Sequence, residues 1–343
     1  MKPISVAVVG VGYWGPNLIR NIALYPATTL SWVCDLSQQK AAAAADAWGN
    51  VRIATSIDEV LADDSVDAVA VATPAGTHFD LAIRSLEAGK HVLVEKPLAT
   101  TLGHGRAMVE AAESKGLVLM ADHTFCYTGA VRKIRELIQT GQLGEVRYFD
   151  SVRINLGLVQ NDVDVFWDLA PHDLSILDFV LPEDSRVTAV GAQGADPLGV
   201  GHACIGYLSL RLSGGGMAHV HLNWLSPAKI RTVIIGGSKK MLVWDDLRPT
   251  QRVSIYDSGV DLDRQLDETA RRRVLVSYRT GAIVAPALEE TEALTGVIEE
   301  FVAAIREHRQ PITDGRAGLR VLGVLAAIDQ SLAASGALIP VRS

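Results

Sequence analysis

A chain of 343 residues exceeds one ordinary domain, and 48% hydrophobic with 21% charged residues indicates two folded globular domains rather than a disordered protein. Its 32 basic and 39 acidic residues give a net charge of −7, which argues against nucleic acid as a main partner. Three scattered cysteines without a CxxC pair argue against a disulfide framework or a zinc site, so we expect no metal. The sequence shows no signal-peptide-like segment and no long charge-free span, so we expect a cytoplasmic protein without membrane contact.

The first predicted strand leads directly into a glycine-rich turn. ISVAVV at residues 4–9 precedes GVGYWG at residues 10–15, and apolar residues at helical intervals follow. In a strand–turn–helix context, Gly10 allows the tight turn, Gly12 lets the backbone approach a pyrophosphate, and Gly15 permits close packing of helix on strand. The alternative is an ordinary turn between a strand and a helix. The candidate cofactor-binding residues here are Gly10, Gly12, Tyr13, Trp14 and Gly15.

The second predicted strand, LSWVC at residues 30–34, ends in an acid. Asp35 stands twenty residues after Gly15, where a dinucleotide fold places the carboxylate that accepts hydrogen bonds from ribose hydroxyls. No arginine follows immediately, and an anion there should repel the extra phosphate of NADP, so NAD is favoured over NADP. The alternative role for Asp35 is an exposed cap of the next helix.

Further strands and helices alternate up to residue 122, which predicts a doubly wound parallel sheet. The buried strand AVAVA at residues 68–72 ends in Thr73 and Pro74, which we expect to border the cofactor. His78 is a further candidate at the start of a helix, although a single histidine there is as often a capping or surface residue.

HVLVEKPL at residues 91–98 joins a short apolar run to a charged pair and a proline. Its apolar half predicts a buried parallel strand, which delivers Glu95 and Lys96 to the sheet edge where ligands bind in open α/β folds. A lysine at that edge can exchange a proton with a substrate. The alternative is a solvated Glu-Lys pair.

The pattern changes after residue 122, where strand-like segments joined by Gly and Ser turns predict a mostly antiparallel sheet. Two closing helices are predicted at residues 291–307 and 315–335. The fold class is therefore α/β, with an N-terminal Rossmann domain at residues 1–122. A C-terminal α+β domain with an open sheet and the closing helices occupies residues 123–343.

WDLAPHDL at residues 167–174 enters a predicted helix. Asp168 and His172 are four residues apart, so a helical turn would put both on one face. With Lys96 they would form a set of three titratable groups suited to moving one proton. Alternatively, Asp168 is a helix cap and His172 a packed side chain, and Pro171 leaves the local helical geometry open.

Taken together, these motifs resemble the Gfo/Idh/MocA family of nicotinamide-dependent oxidoreductases over nearly the whole chain. The resemblance implies a Rossmann domain, a second domain with an open sheet, and a homo-oligomer built through the exposed face of that sheet. VRINLG at residues 152–157 and WDLAPHDLSIL at residues 167–177 look like a branch that acts on sugars, nucleotide sugars and aminocyclitols. The motifs that carry the resemblance are GVGYWG at 10–15, Asp35, GKHVLVEKPLA at 89–99, and the pair Asp168 and His172.

Two departures from the family pattern lie near the expected cofactor–substrate junction. Related sequences have Asn-Pro where this chain has YTGA at residues 127–130, and glycine where Asp122 stands. Both put the detailed substrate specificity in doubt rather than the reaction class.

The predicted activity is reversible oxidation of a secondary hydroxyl on a small-molecule sugar, aminosugar or aminoglycoside, cyclitol or nucleotide sugar, with NAD accepting the hydride. The resemblance favours His172 as the base, Lys96 as the group that polarises the oxygen, and Asp168 as the group that orients a partner. The alternatives are a catalytically idle NAD-binding regulator and a Rossmann methyltransferase, in which the EKP and D-x-x-x-H elements would have no role. Further candidate substrate contacts, each as readily structural, are Tyr127, Arg153, Asn155 and Trp167.

Overall fold

The structure is a computed structural model that describes residues 2–157, 159–160, 163–262 and 276–342. The chain divides into two compact units. The first unit comprises Met1–Thr128 and Glu290–Ala326, and the second comprises Gly129–Glu289 and Ala327–Arg342.

The first unit contains a six-stranded sheet in which every neighbouring pair is parallel. Its central strands are apolar on both faces, as expected for a sheet covered by helices on each side. The strand order β3-β2-β1-β4-β5-β6 is that of a doubly wound dinucleotide fold and confirms the predicted Rossmann topology. The strands are β1 (Ile4–Val9), β2 (Thr28–Cys34), β3 (Arg52–Ala54), β4 (Ala68–Val71), β5 (His91–Glu95) and β6 (Leu119–Asp122).

Local signals start the helices that connect these strands. Ser56 and Glu59 form a reciprocal capping box at one helix start, and Ser37 and Thr101 cap two others with their hydroxyls. The helices are α1 (Gly15–Leu24), α2 (Gln38–Ala45), α3 (Ile57–Leu61), α4 (His78–Glu87) and α5 (Leu102–Ser114).

The chain returns to the first unit near its end. Helix α8 (Ala293–Glu307) packs against α1 and the short helical turn Thr124–Tyr127, and it buries Leu294 and Phe301. This arrangement differs from the division at residue 122, which assigned both closing helices to the second domain. The buried apolar face of α8 is the physical reason, because it contributes to the core of the first unit.

The second unit contains a nine-stranded sheet in the order β14-β13-β12-β11-β7-β10-β9-β8-β15. All its neighbouring pairs are antiparallel except β7 with β10, which confirms the predicted mostly antiparallel sheet. Its strands are β7 (Val146–Leu156), β8 (Val187–Ala195), β9 (Ile205–Leu212), β10 (Met217–Asn223), β11 (Leu225–Gly237), β12 (Met241–Asp245), β13 (Val253–Leu262), β14 (Val276–Val284) and β15 (Ile339–Pro340).

Helix α7 (Val165–Val180) packs on strands β9 and β10, and the unit also contains α6 (Gly129–Gln139). Because α7 covers one face of the sheet, buried and exposed side chains alternate along β9: Leu208 and Leu210 are buried, whereas Tyr207 is exposed. A last helix, α9 (Gly315–Ala333), begins in the first unit and ends in the second. Among the described residues, no helix combines the length and the apolar character needed to cross a bilayer.

Candidate functional site

The glycine turn after β1 is shaped by the protein's own packing at two positions. Gly10 has φ +97°, and a Cβ atom there would lie 2.7 Å from the main chain of Ala72. A Cβ atom at Gly15 would lie 2.2 Å from the Gly10 carbonyl oxygen. At Gly12, by contrast, an added Cβ atom meets nothing within 4 Å. Gly12 therefore borders open space, which fits the predicted close approach of a phosphate group to the backbone.

The start of α1 is suited to an anion. No side chain caps it, and Pro16 occupies its first turn. Uncapped N–H groups and the positive end of the helix dipole attract phosphate at such a position. Tyr13 is 90% exposed beside this helix start, whereas the Trp14 indole nitrogen is buried.

Asp35 lies at the end of β2 and is held by two main-chain donors. Its Oδ2 accepts the Val11 N–H at 2.8 Å, and its Oδ1 accepts the Ser37 N–H at 2.9 Å. Ser37, rather than Asp35, provides the side-chain cap of α2. A carboxylate has about four acceptor sites, so Asp35 retains capacity for hydroxyl donors such as those of a ribose.

His78 joins two loops at the same edge of the parallel sheet. The side chain is buried, with Nδ1 at 2.8 Å from the Pro97 carbonyl oxygen and Nε2 at 2.8 Å from the Thr73 carbonyl oxygen. Burial lowers the pKa of His78, and the two carbonyl contacts oppose that effect. His78 thus has a structural role in linking the segment after β4 to the EKP segment, while Thr73 and Pro74 remain at the strand end.

Glu95 and Lys96 differ in their surroundings. Lys96 follows β5 and is half-buried, whereas the Glu95 carboxyl is buried and its Oε2 accepts the Lys96 N–H at 3.2 Å. Asp122, also buried, ends β6 directly opposite Glu95 in the strand register. Burial and the neighbouring Asp122 raise the pKa of Glu95 well above its ordinary value, and burial also raises the pKa of Asp122. Asp122 was not among the predicted site residues, because its position stands out in the sequence only as a departure from the family pattern.

In the second unit, Asp168 and His172 lie on one face of α7, which runs without interruption through Pro171. Asp164 is the N-cap of this helix, so Asp168 does not have the alternative capping role. Instead, the Trp224 indole N–H donates to Asp168 Oδ2 at 3.1 Å. Trp224 lies 56 residues away in sequence, and sequence reasoning did not identify it.

Asn155 and Trp167 also lie in this part of the second unit. An added Cβ atom at Gly157 would be 3.1 Å from Asn155 Nδ2 and 3.3 Å from Trp224 Cδ1, so the amide and the indole are neighbours. The Trp167 indole N–H donates to Asp329 Oδ1 at 3.0 Å, and its ring is half-buried. Amide, indole and carboxylate groups together suit the recognition of hydroxyl groups.

The structure favours the structural alternative for Tyr127 and Arg153. Tyr127 is 3% exposed and its hydroxyl lies 2.9 Å from Thr313 Oγ1, which leaves no ring face for a sugar. Arg153 is 4% exposed and forms an ion pair with Asp173, with Nε at 2.6 Å from Oδ2. Each of these two side chains is thus buried and bound to a partner within its own unit.

Most of the predicted cofactor residues meet at one edge of the parallel sheet, because carboxyl ends of parallel strands share an edge. The glycine turn, Asp35, Thr73, Pro74, Glu95 and Lys96 all belong to that edge. Such an arrangement can bind a diphosphate and a ribose and can supply one proton-exchanging ammonium group. Within the described ranges, no group of three His, Cys, Asp or Glu side chains is placed to hold a metal ion.

Two family models match this chain. Residues 4–123 match the model described as "Oxidoreductase family, NAD-binding Rossmann fold", and residues 131–243 match the "GFO/IDH/MocA C-terminal domain". The first unit is therefore an NAD-binding Rossmann domain.

Several relatives cover most of the chain. YdgJ of Escherichia coli, an uncharacterized oxidoreductase, is 30% identical over 264 residues, which are 72% of this chain and 73% of YdgJ. The UDP-N-acetylglucosamine 3-dehydrogenase of Acidithiobacillus ferrooxidans is 28% identical over 333 residues, 94% of this chain and 95% of that enzyme. Its solved structure, GnnA, has a TM-score of 0.81 at 26% identity and covers 97% of this chain and 99% of its own. The structure of GenD2 from gentamicin A biosynthesis, solved in complex with NAD, has a TM-score of 0.82 at 25% identity and covers 100% of this chain and 97% of its own.

Proposed function

Since the chain belongs to the Gfo/Idh/MocA family of NAD(P)-dependent oxidoreductases, we propose that it oxidises a secondary hydroxyl of a sugar-type substrate reversibly to a ketone, with NAD as the hydride acceptor. Aminosugars, aminoglycosides, cyclitols and nucleotide sugars are the candidate substrates. The name of one relative includes a nucleotide aminosugar and that of another an aminoglycoside pathway, and both support this range.

The observation that carries the proposal is the position of Lys96 on the nucleotide-binding edge. Lys96 follows β5, whose neighbour β4 ends in the segment that flanks the glycine turn. A proton-exchanging side chain is therefore part of the same edge as Asp35 and Gly12. A domain that only bound the nucleotide would not need an ammonium group there.

Each group of predicted site residues has a separate proposed role. The open space at Gly12 and the uncapped start of α1 suit the diphosphate, and Asp35 suits the adenosine ribose. When bound, NAD supplies the hydride acceptor. The proposed roles are uptake of the hydroxyl proton for His172, polarisation of a substrate oxygen for Lys96, and orientation of a proton-carrying partner for Asp168.

Substrate class and cofactor choice can be tested together. We expect purified protein to reduce NAD with at least one member of a panel of nucleotide sugars, inositols and aminoglycosides, and to use NADP less well. Replacing Asp35 by asparagine should reduce the preference for NAD, because the anion that repels the 2′-phosphate is gone. The control Asp46→Asn changes an exposed acid of the same unit and should leave the preference unchanged. Equal use of both cofactors by the wild type would refute the interpretation of Asp35.

The proton-handling roles have their own test. Lys96→Ala and His172→Ala should each lower kcat by about 10²–10⁴, the usual cost of losing a general acid–base group. The control Lys40→Ala removes an exposed lysine from α2 and should leave kcat unchanged. Near-normal turnover by either variant would contradict the assignment.

A homo-oligomer formed through the sheet of the second unit remains part of the proposal. Tyr207, Met217 and Ile234 are exposed on strands of that sheet although they are large and apolar. Light scattering coupled to gel filtration should give a mass of at least twice 36.7 kDa, and a mass equal to one chain would exclude this oligomer. A cytoplasmic location likewise remains a prediction.

A further inference from the structure

Two buried carboxyl groups stand side by side at the end of the parallel sheet. Glu95 is the last residue of β5 and Asp122 the last of β6, and the two are paired in the strand register. Both side chains are buried. Two adjacent carboxylates cannot both ionise at low cost in such a place, because each loses its hydration and repels the other.

The hydrogen bonds of the pair are incomplete if both groups are ionised. Glu95 Oε2 accepts the Lys96 N–H, and Asp122 Oδ1 accepts the Thr124 hydroxyl at 2.7 Å. The other two oxygens, Glu95 Oε1 and Asp122 Oδ2, are buried and have no hydrogen-bond donor among the described residues. A proton on one carboxyl would provide the missing donor to the other.

We propose that Glu95 and Asp122 share one proton and that this pair is a positioning device, which fixes the main chain of Lys96 at the nucleotide-binding edge. The shared proton does not depend on the proposed function, whereas its effect on turnover rests on that function. Glu95 accepts the Lys96 N–H, the shared proton would link Glu95 to Asp122, and Asp122 accepts the Thr124 hydroxyl.

The surroundings favour one proton rather than none or two. The Trp14 indole N–H lies near Asp122 and lowers the pKa of that carboxyl, although no acceptor in the described part of the chain is within ordinary hydrogen-bonding distance of the indole nitrogen. The Lys96 charge lowers the pKa of Glu95, against the larger effects of burial and of Asp122. The Lys96 charge also lowers the pKa of His78 from α4, and Tyr127 is a further titratable group that interacts with Asp122. A single proton between Glu95 Oε1 and Asp122 Oδ2 would give each of these two buried oxygens a hydrogen-bond partner.

The dependence of stability on pH tests the shared proton without any substrate. Glu95 binds its proton more tightly in the folded chain than at its ordinary pKa of 4.5, so the folded state holds an extra proton above that pH. The shared proton should therefore contribute a loss of stability as pH rises from about 5, with the unfolding constant rising up to tenfold per pH unit relative to a variant that lacks this proton. In Glu95→Gln this part of the slope should disappear. Asp122→Asn should also flatten the curve, because the new amide can donate to an ionised Glu95.

The matched control for this measurement is Asp64→Asn, an isosteric change of an exposed acid in the same unit. Its pH curve should be parallel to that of the wild type. Slopes for Glu95→Gln and Asp122→Asn that both equal the wild-type slope would overturn the shared proton.

Turnover tests the positioning role once a substrate is identified. Asp122→Ala removes the partner of Glu95 and should lower kcat about tenfold or more, while the KM for NAD changes little. Asp122→Asn keeps a donor–acceptor pair and should recover most of the lost kcat. A wild-type kcat in Asp122→Ala would overturn the positioning role. If no sugar or cyclitol is oxidised at all, the proposed function fails, and the pH curves still decide whether the proton is shared.

Discussion

Replacing Arg153 by methionine should destabilise the second unit strongly. Arg153 Nε and Nη2 lie 2.6 and 3.1 Å from the two oxygens of Asp173, and Ser151 donates to Oδ1 at 2.7 Å. The two charged side chains are only 5% and 1% exposed. Methionine would leave the Asp173 carboxylate buried with one remaining hydroxyl donor. Removing one partner of a buried ion pair costs about 3–5 kcal/mol of the free energy of unfolding, and we expect a loss in that range.

Urea unfolding followed by tryptophan fluorescence measures this loss, with circular dichroism as a second probe because two compact units need not unfold together. The matched control is Arg231→Met, whose pair with Asp246 is partly exposed at 29% and 17% and should cost about 0–1 kcal/mol. Arg153→Met/Asp173→Leu should lose less than the two single changes added, since no buried charge is left alone. If Arg153→Met keeps its stability and instead raises the KM for the sugar, Arg153 is a substrate contact and the structural interpretation is wrong.

Three further changes test other parts of the molecule. Gly10→Ala should abolish NAD binding measured by calorimetry and lower the free energy of unfolding, because its Cβ atom would overlap the Ala72 main chain and its φ is +97°. The control Gly49→Ala also has a positive φ, +74°, but its Cβ atom would enter open space, so this variant should bind NAD normally. Trp224→Phe removes the indole N–H that donates to Asp168. This variant should lower kcat about tenfold, which corresponds to the loss of one hydrogen bond to a charged group. An unchanged kcat would show that Trp224 does not contribute to the site. Asp164→Ala should lower the free energy of unfolding in urea by about 0.5–2 kcal/mol, because α7 loses its N-cap. Asp164→Ser should recover most of this loss, since a serine hydroxyl can also cap the helix. Equal losses in the two variants would exclude a capping role for Asp164.

The first unit could be predicted from local patterns because its signals are contiguous in sequence. The turn at Gly10 follows a strand and precedes a helix, and the apolar runs that end in Asp35 and Lys96 have the length of buried strands. In such a fold the strand order follows from right-handed crossovers, so the meeting of these residues at one edge also follows.

The remaining features depend on partners that are far apart in sequence. Nothing in the residues around Asp168 indicates that the indole of Trp224 is its donor, and the burial of Arg153 depends on Asp173 in another element. Strands β13 and β14 pair with each other between residues 255–262 and 276–284. In each case the tertiary partner, rather than the local pattern, decides the structure.

The return of α8 to the nucleotide-binding unit limits how the protein can be divided for experiments. A fragment that stops at residue 128 would lack α8, so side chains that α8 covers on α1 and on the turn Thr124–Tyr127 would face water. Such a fragment would be a poor choice for isotope-labelled NMR of the nucleotide site, since an uncovered apolar surface promotes aggregation. A fusion that joins residue 128 through a short linker to residues 290–326 would restore the missing part of the core.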